Sequence, residues 1–132
     1  METIYPPTVR DKRFYLFYSK DLIDHAFKEF AKYKKSKDEV YLIQASEKAW
    51  NALVQLGFAY GKPSGHHNET ANQIKTIKTD IPNEGFEFAK MGEKLHANFY
   101  HNFMTPEFLK NDMEKIREFV NKKIKIEGYV LR

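Results

Sequence analysis

The ten residues Glu93-Lys94-Leu95-His96-Ala97-Asn98-Phe99-Tyr100-His101-Asn102 hold the densest set of chemically capable side chains in the chain. Imidazoles exchange protons near neutral pH, so His96 and His101 are candidates for general acid–base work. Lys94 offers a positive charge for an anion, while Asn98 and Tyr100 offer directional hydrogen bonds. On a helix, at about 100° per residue, Leu95 and Phe99 face a core. Glu93, His96 and Tyr100 then share one flank, and Lys94, Asn98 and His101 share the other. His96 and His101 lie about 140° apart, so one helix does not aim both at one point. Copies from two subunits across a two-fold axis would bring them together. The same residues also have an ordinary reading, because a His or Asn beside a core stripe is often a hydrogen-bonded structural side chain.

Other chemistries find less support. Glu93-x-x-His96 has the carboxylate–imidazole spacing of di-iron helical bundles, but no second Glu-x-x-His exists to complete such a site. A mononuclear imidazole site drawing on His66 or His67 is a separate option, to be decided by elemental analysis. The expectation is no metal and no cofactor. Gly61-Lys62-Pro63-Ser64-Gly65 lacks the order of a phosphate-binding loop and follows no strand, so it is read as a helix stop. There is no Gly-x-Ser-x-Gly elbow, and with no cysteine there is no thiol nucleophile, thiolate metal site or disulfide.

The elements that must hold the polar string are helices. Pro6-Pro7 and the aromatic run Phe14 to Tyr18 suggest an N-terminal arm over residues 1–18, although a helix could begin as early as Thr8. Ser19 is read as an N-cap, with Ile23, Ala26, Phe30 and Tyr33 at helical spacing to Lys35. Asp38 to Tyr60 carries two adjacent apolar stripes and belongs in the middle of a bundle. Ala45, Ala49 and Ala52 would admit a close neighbour. A thinner helix is expected over His67–Lys78. Asn83 is read as the cap of a fourth helix with the stripe Phe88, Gly92, Leu95, Phe99 and Phe103. Thr105-Pro106-Glu107 is a strong helix start, followed by Leu109, Met113, Ile116 and Val120 to about Lys125. The expectation is an all-α, up-and-down bundle of four to five helices, with residues 19–132 as one domain.

The 132 residues fit one domain, and their 42% hydrophobic and 30% charged content is that of a globular chain. Lys and Arg number 22 against 18 Asp and Glu, a net charge of +4 that permits a polyanionic partner without requiring one. Lys32, Lys34, Lys35 and Lys37 end the first helix, and Lys122, Lys123 and Lys125 end the last. Both runs suit a helix C-terminus. Tyr33 and Tyr41 beside the first run would also suit stacking on nucleic acid. No apolar run is long enough to span a membrane, and the N-terminus lacks the pattern of a secretory signal, so a cytoplasmic protein is expected.

Two segments resemble a known family. Gln44-Ala45-Ser46-Glu47-Lys48-Ala49-Trp50-Asn51-Ala52-Leu53 resembles the second-helix signature of the archaeal PaREP family, and Leu95-His96-Ala97-Asn98-Phe99-Tyr100 resembles its Leu-His-x-Asn-Phe-Tyr string. The similarity covers about residues 19–122. That family is similar to HEPN-like helical bundles, which implies a homodimer. The resemblance also implies either a metal-independent ribonuclease or a partner of a nucleotidyltransferase. The usual HEPN motif is Arg, four to six residues, then His; here it reads His96-x-x-x-x-His101. The resemblance makes His101 a general acid or base. His96, Asn98 and Lys94 would hold phosphate, with Tyr100 and Lys48 as further substrate-binding candidates. A mostly neutral His96 is a weaker phosphate clamp than a guanidinium. The expected function is therefore action on, or binding of, RNA or nucleotides. The alternative is a non-catalytic dimeric interaction module of antitoxin-like or nucleotidyltransferase-partner type, which an exposed aromatic patch without a cleft near His101 would favour.

Overall fold

A computed structural model describes residues 11–61, 70–81 and 83–130. The described residues form five helices and no strand: α1 (Lys12–Ser36), α2 (Val40–Tyr60), α3 (Thr70–Asp80), α4 (Gly85–His101) and α5 (Pro106–Ile126). The fold is all-α, as expected. Residues 1–10 and 62–69, with His66 and His67 among the latter, lie outside the described residues, as do residues 82, 131 and 132.

Helix α1 starts seven residues before the expected Ser19. Its cap is Asp11, whose carboxylate accepts the Phe14 N–H at 2.8 Å. Residues 12–18 are thus helical rather than an extended arm, with Tyr15, Leu16 and Phe17 buried. Ser19 is fully buried, and its hydroxyl donates to the Ala52 carbonyl of α2 at 2.6 Å. A small residue there, against Ala52, and the buried Ala45 and Ala49 further along α2 suit the extensive α1–α2 contact. The helix closes at Lys37, which adopts φ 61° and donates its N–H to the Tyr33 carbonyl at 2.7 Å.

Helix α2 begins where Asp38 accepts the Val40 N–H at 3.0 Å. It touches all four other helices, which explains its two apolar stripes. Helix α3 is short and buries only Ile77, the residue that seats it on α2 and α4. The α3–α4 contact is close: a Cβ on Gly85 would stand 2.5 Å from the Ile77 carbonyl oxygen, so only glycine fits. Asn83 does not cap α4; it takes φ 68° in the turn, and Glu84 stands at the cap position. Helix α5 starts as expected, with the Thr105 hydroxyl accepting the Phe108 N–H at 3.2 Å and Pro106 as its first residue.

Polar contacts between helix ends establish the topology. Lys12, at the start of α1, pairs with Glu127 just past the end of α5 at 3.4 Å. Tyr60, at the end of α2, donates to the same carboxylate at 3.4 Å. Glu84, before α4, faces Lys122 of α5 at 3.4 Å. At the opposite end Asn102, after α4, donates to Glu39, before α2, at 2.5 Å. The long helices α1, α2, α4 and α5 therefore alternate in direction, an up-and-down bundle with α3 crossing one end. Helices α4 and α5 meet through long side chains: Phe88 stacks on Phe119 at 4.3 Å, and Lys94 reaches Asp112 at 2.9 Å.

The expected α4 stripe holds for Phe88, Gly92 and Leu95, and then fails. Phe99 is half-buried and Phe103 is 55% exposed. The helix ends at His101, and Asn102 turns left-handed at φ 46°, which carries Phe103 off the core face.

Candidate functional site

The polar string lies on the last three turns of α4, and its members part company. Asn98 is fully buried. Its amide nitrogen donates to Ser46 Oγ of α2 at 2.6 Å, and its amide oxygen accepts the Met104 N–H at 2.7 Å. Its carbonyl accepts the Asn102 N–H at 2.8 Å. Asn98 therefore clasps α4 to α2 and folds back the α4–α5 turn, with both side-chain functions used inside the protein. Asn98 was expected to hold a substrate phosphate; here no face of its side chain reaches solvent.

Lys94 points to α5. Its ammonium lies 2.9 Å from the carboxylate of Asp112, which is 6% exposed. A nearly buried carboxylate needs that counter-charge, so Lys94 is held as a structural partner rather than left for an anion. His96 is half-buried between two rings, with centroids 5.1 Å from Trp50 and 5.2 Å from Tyr100. Trp50 reaches this position because α4 has no side chain at Gly92: a Cβ there would stand 2.8 Å from the indole. His96 and Tyr100 share a flank as expected. That flank is a row of tilted and edge-on rings, Trp50, His96, Tyr100 and Phe99, the last two 5.0 Å apart.

His101 is exposed at the final residue of α4, with no polar partner among the described residues. His96 and His101 are not gathered within one chain. Lys48 is half-buried on α2, 3.9 Å from its neighbour Glu47. No group of three metal-capable side chains comes together among the described residues.

Around His101 the surface is aromatic. Tyr100 is 66% exposed, Phe103 55% and Phe108 63%. The Asn102–Glu39 hydrogen bond brings this turn against the α1–α2 turn, where the lysine run of α1 ends. Lys32 lies over the Tyr41 ring at 5.8 Å, and Lys37 over Tyr33 at 5.6 Å. Sequence reading found the lysines with Tyr33 and Tyr41; it placed Phe103 in the core and missed Phe108, Ser46 and Glu39. A serine at a position flanked by the buried Ala45 and Ala49 was the available signal for Ser46.

Two surface cavities lie elsewhere. One, of about 570 Å³, is lined by Asp11, Arg13, Phe14, Phe17, Tyr18 and Asp21 at the start of α1. The other, of about 370 Å³, lies over Phe88 and Phe119 with Glu84, Glu87, Lys115, Glu118 and Lys122 on its rim. Neither includes a candidate site residue. The far end also holds a partly buried polar clasp. The Tyr60 hydroxyl is pushed well above its usual range, first by burial and then by the adjacent Glu127 carboxylate. Lys123, only 6% exposed, lies beside the Tyr60 and Phe119 rings and 3.8 Å from Glu84.

No helix of the described residues is long and apolar enough to cross a membrane. No protein-family model, curated protein or solved structure matches the chain.

Proposed function

We propose that this helical bundle binds RNA or nucleotides without cleaving them, at the end of the molecule that carries His101. The observation that carries the reading is the complete enclosure of Asn98, with both side-chain functions satisfied by Ser46 and Met104. With Lys94 paired to Asp112 and His96 laid between Trp50 and Tyr100, the two groups expected to hold phosphate beside His101 have other partners among the described residues, which supports binding over cleavage. What is left at that end is exposed rings, an exposed imidazole and a lysine run, a surface suited to contact. The resemblance of residues 44–53 and 95–100 to the PaREP and HEPN-like bundles supports the same ligand class.

The test is incubation of purified protein with labelled RNA in the presence of chelator. Saturable binding with intact RNA is expected. Cutting by the parent that disappears in His101→Ala would overturn the non-catalytic reading. A second reading has its own observation, the exposure of Tyr100, Phe103 and Phe108. Here the rings meet a second copy of the chain or a protein partner such as a nucleotidyltransferase. Analytical ultracentrifugation of the parent and Phe108→Asp tests the homodimer; a parent dimer that falls to a monomer in the variant supports it.

A further inference from the structure

At the corner between α3 and α4, two ammonium groups from different helices meet over one ring. Lys78 of α3 lies 5.3 Å from the centroid of Phe86, and Lys90, one turn beyond Phe86 on α4, lies 4.9 Å from it. The two charges are thus within about 10 Å of each other. The corner is tightly built: a Cβ on Gly85 would stand 2.8 Å from the Lys78 carbonyl oxygen, so the last turn of α3 lies directly against the first turn of α4. The Phe86 ring is 55% exposed. One lysine stem would serve to cover it, and the dipole of α3 suits Lys78 in its last turn. The second lysine adds a like charge that repels the first.

No acid offsets these charges. Among the described residues Lys75, Lys78 and Lys90 have no ion pair. The carboxylates of the corner face other helices: Asp80 turns toward Gly61 at the end of α2, Glu84 pairs with Lys122 of α5, and Glu87 lines the groove over Phe88 and Phe119. Lys75 is exposed one turn before Lys78 on the same helix. A ring holds an ammonium group in place through its quadrupole without neutralising it. Positive charge is therefore gathered and oriented here, and left without a counter-charge.

We propose that this corner binds a diphosphate group, with Lys78 and Lys90 on its oxygens, Lys75 beside them, and Phe86 as the positioning residue that aims the two ammonium groups. Adjoining phosphoryl groups offer charged acceptors at two separate points, which fits a pair of point-charge donors better than one small anion does. Free pyrophosphate and the diphosphate of a nucleotide carry the same chemistry. The corner lies about 22 Å along α4 from His101, so it stands independently of the contact surface proposed above.

Isothermal titration calorimetry with pyrophosphate, uridine diphosphate and sulfate, over a series of salt concentrations, tests the site. The variants are Lys78→Gln with Lys90→Gln, Phe86→Leu, and a control of equal charge, Lys28→Gln with Lys110→Gln, two exposed lysines of α1 and α5. Every substituted position is exposed, and thermal melting verifies that the variants fold. Saturable binding of pyrophosphate or uridine diphosphate is expected in the parent and the control alike, and binding roughly tenfold weaker or more in the variant lacking Lys78 and Lys90. The tighter of the two probes identifies the source of the diphosphate. Phe86→Leu is expected to bind about fivefold more weakly with its salt dependence unchanged, because the charges remain and only their aim is lost. Three results overturn the site: no binding of either diphosphate by the parent, equal losses in the lysine variant and its control, or sulfate held as tightly as pyrophosphate. Phe86→Leu matching the parent overturns the role of the ring.

Discussion

Asn98 touches three parts of the chain, so its removal has several effects at once. Asn98→Ala strands the Ser46 hydroxyl and the Met104 N–H in a buried setting, at a cost of about 1–3 kcal/mol for each group left unsatisfied. The expected outcome is a loss of roughly 2–6 kcal/mol in urea unfolding, where the catalytic role implied by the resemblance would predict a folded but inactive protein. Tyr60 gives a pH test. Its pKa is raised in the folded state, so the native protein holds the phenolic proton over a range in which the unfolded chain has lost it. Stability from this group is complete below the ordinary tyrosine value near 10 and falls as pH rises beyond it. Tyr60→Phe is expected to flatten the decline between about pH 10 and 11 relative to the parent, measured by denaturant midpoints. These residues also show what spacing conceals. Asn98 beside a core stripe looks the same whether it serves a substrate or a partner 52 positions away, and only the fold brings Ser46 to it.

Among the elements, α2 and α5 were legible because their ends carry local chemistry. Asp38 accepts the Val40 N–H one residue ahead of the cap position at Glu39, and Thr105-Pro106 opens α5 as the residue types demand. Helix α1 was read short because a capping serine and a buried serine are alike in sequence; the Ala52 carbonyl that takes the Ser19 proton lies on another element. The α4 stripe was read long because the apolar period continues into Phe103 after Asn102 has turned the chain aside. Contact between elements is asymmetric in the α4–α5 seam. Lys94→Ala leaves the nearly buried Asp112 carboxylate without its counter-charge, whereas Asp112→Asn leaves a half-exposed ammonium that water can solvate. Lys94→Ala is expected to cost about 1–3 kcal/mol and Asp112→Asn less than about 1, a ranking that chemical denaturation reads directly. In the α2–α4 seam, Gly92→Ala must displace the Trp50 indole, at about 1–3 kcal/mol. Trp50 is the only tryptophan, so a changed emission spectrum reports the displacement in the same experiment.

At the scale of the whole molecule, the up-and-down order divides the chemistry between two ends. One end is closed by a polar cluster around the buried Lys123, with the partly exposed Tyr60, Glu84 and Glu127 drawn to it from helix α2 and the residues flanking α4 and α5. The other exposes lysines, an imidazole and rings around two short turns. Helical order and the position of the polar string were readable because period and caps are local properties. The division of the string was not, because it depends on which α2 and α5 residues stand opposite it. The ion pair between Lys12 and Glu127 has a practical corollary. It sets the first turn of α1 next to the last turn of α5, so a surface anchor or affinity handle joined before residue 11 or after residue 130 leaves from the charged-clasp end. Protein immobilised in either way on a sensor chip would turn its lysine-and-aromatic pole toward the flowing analyte.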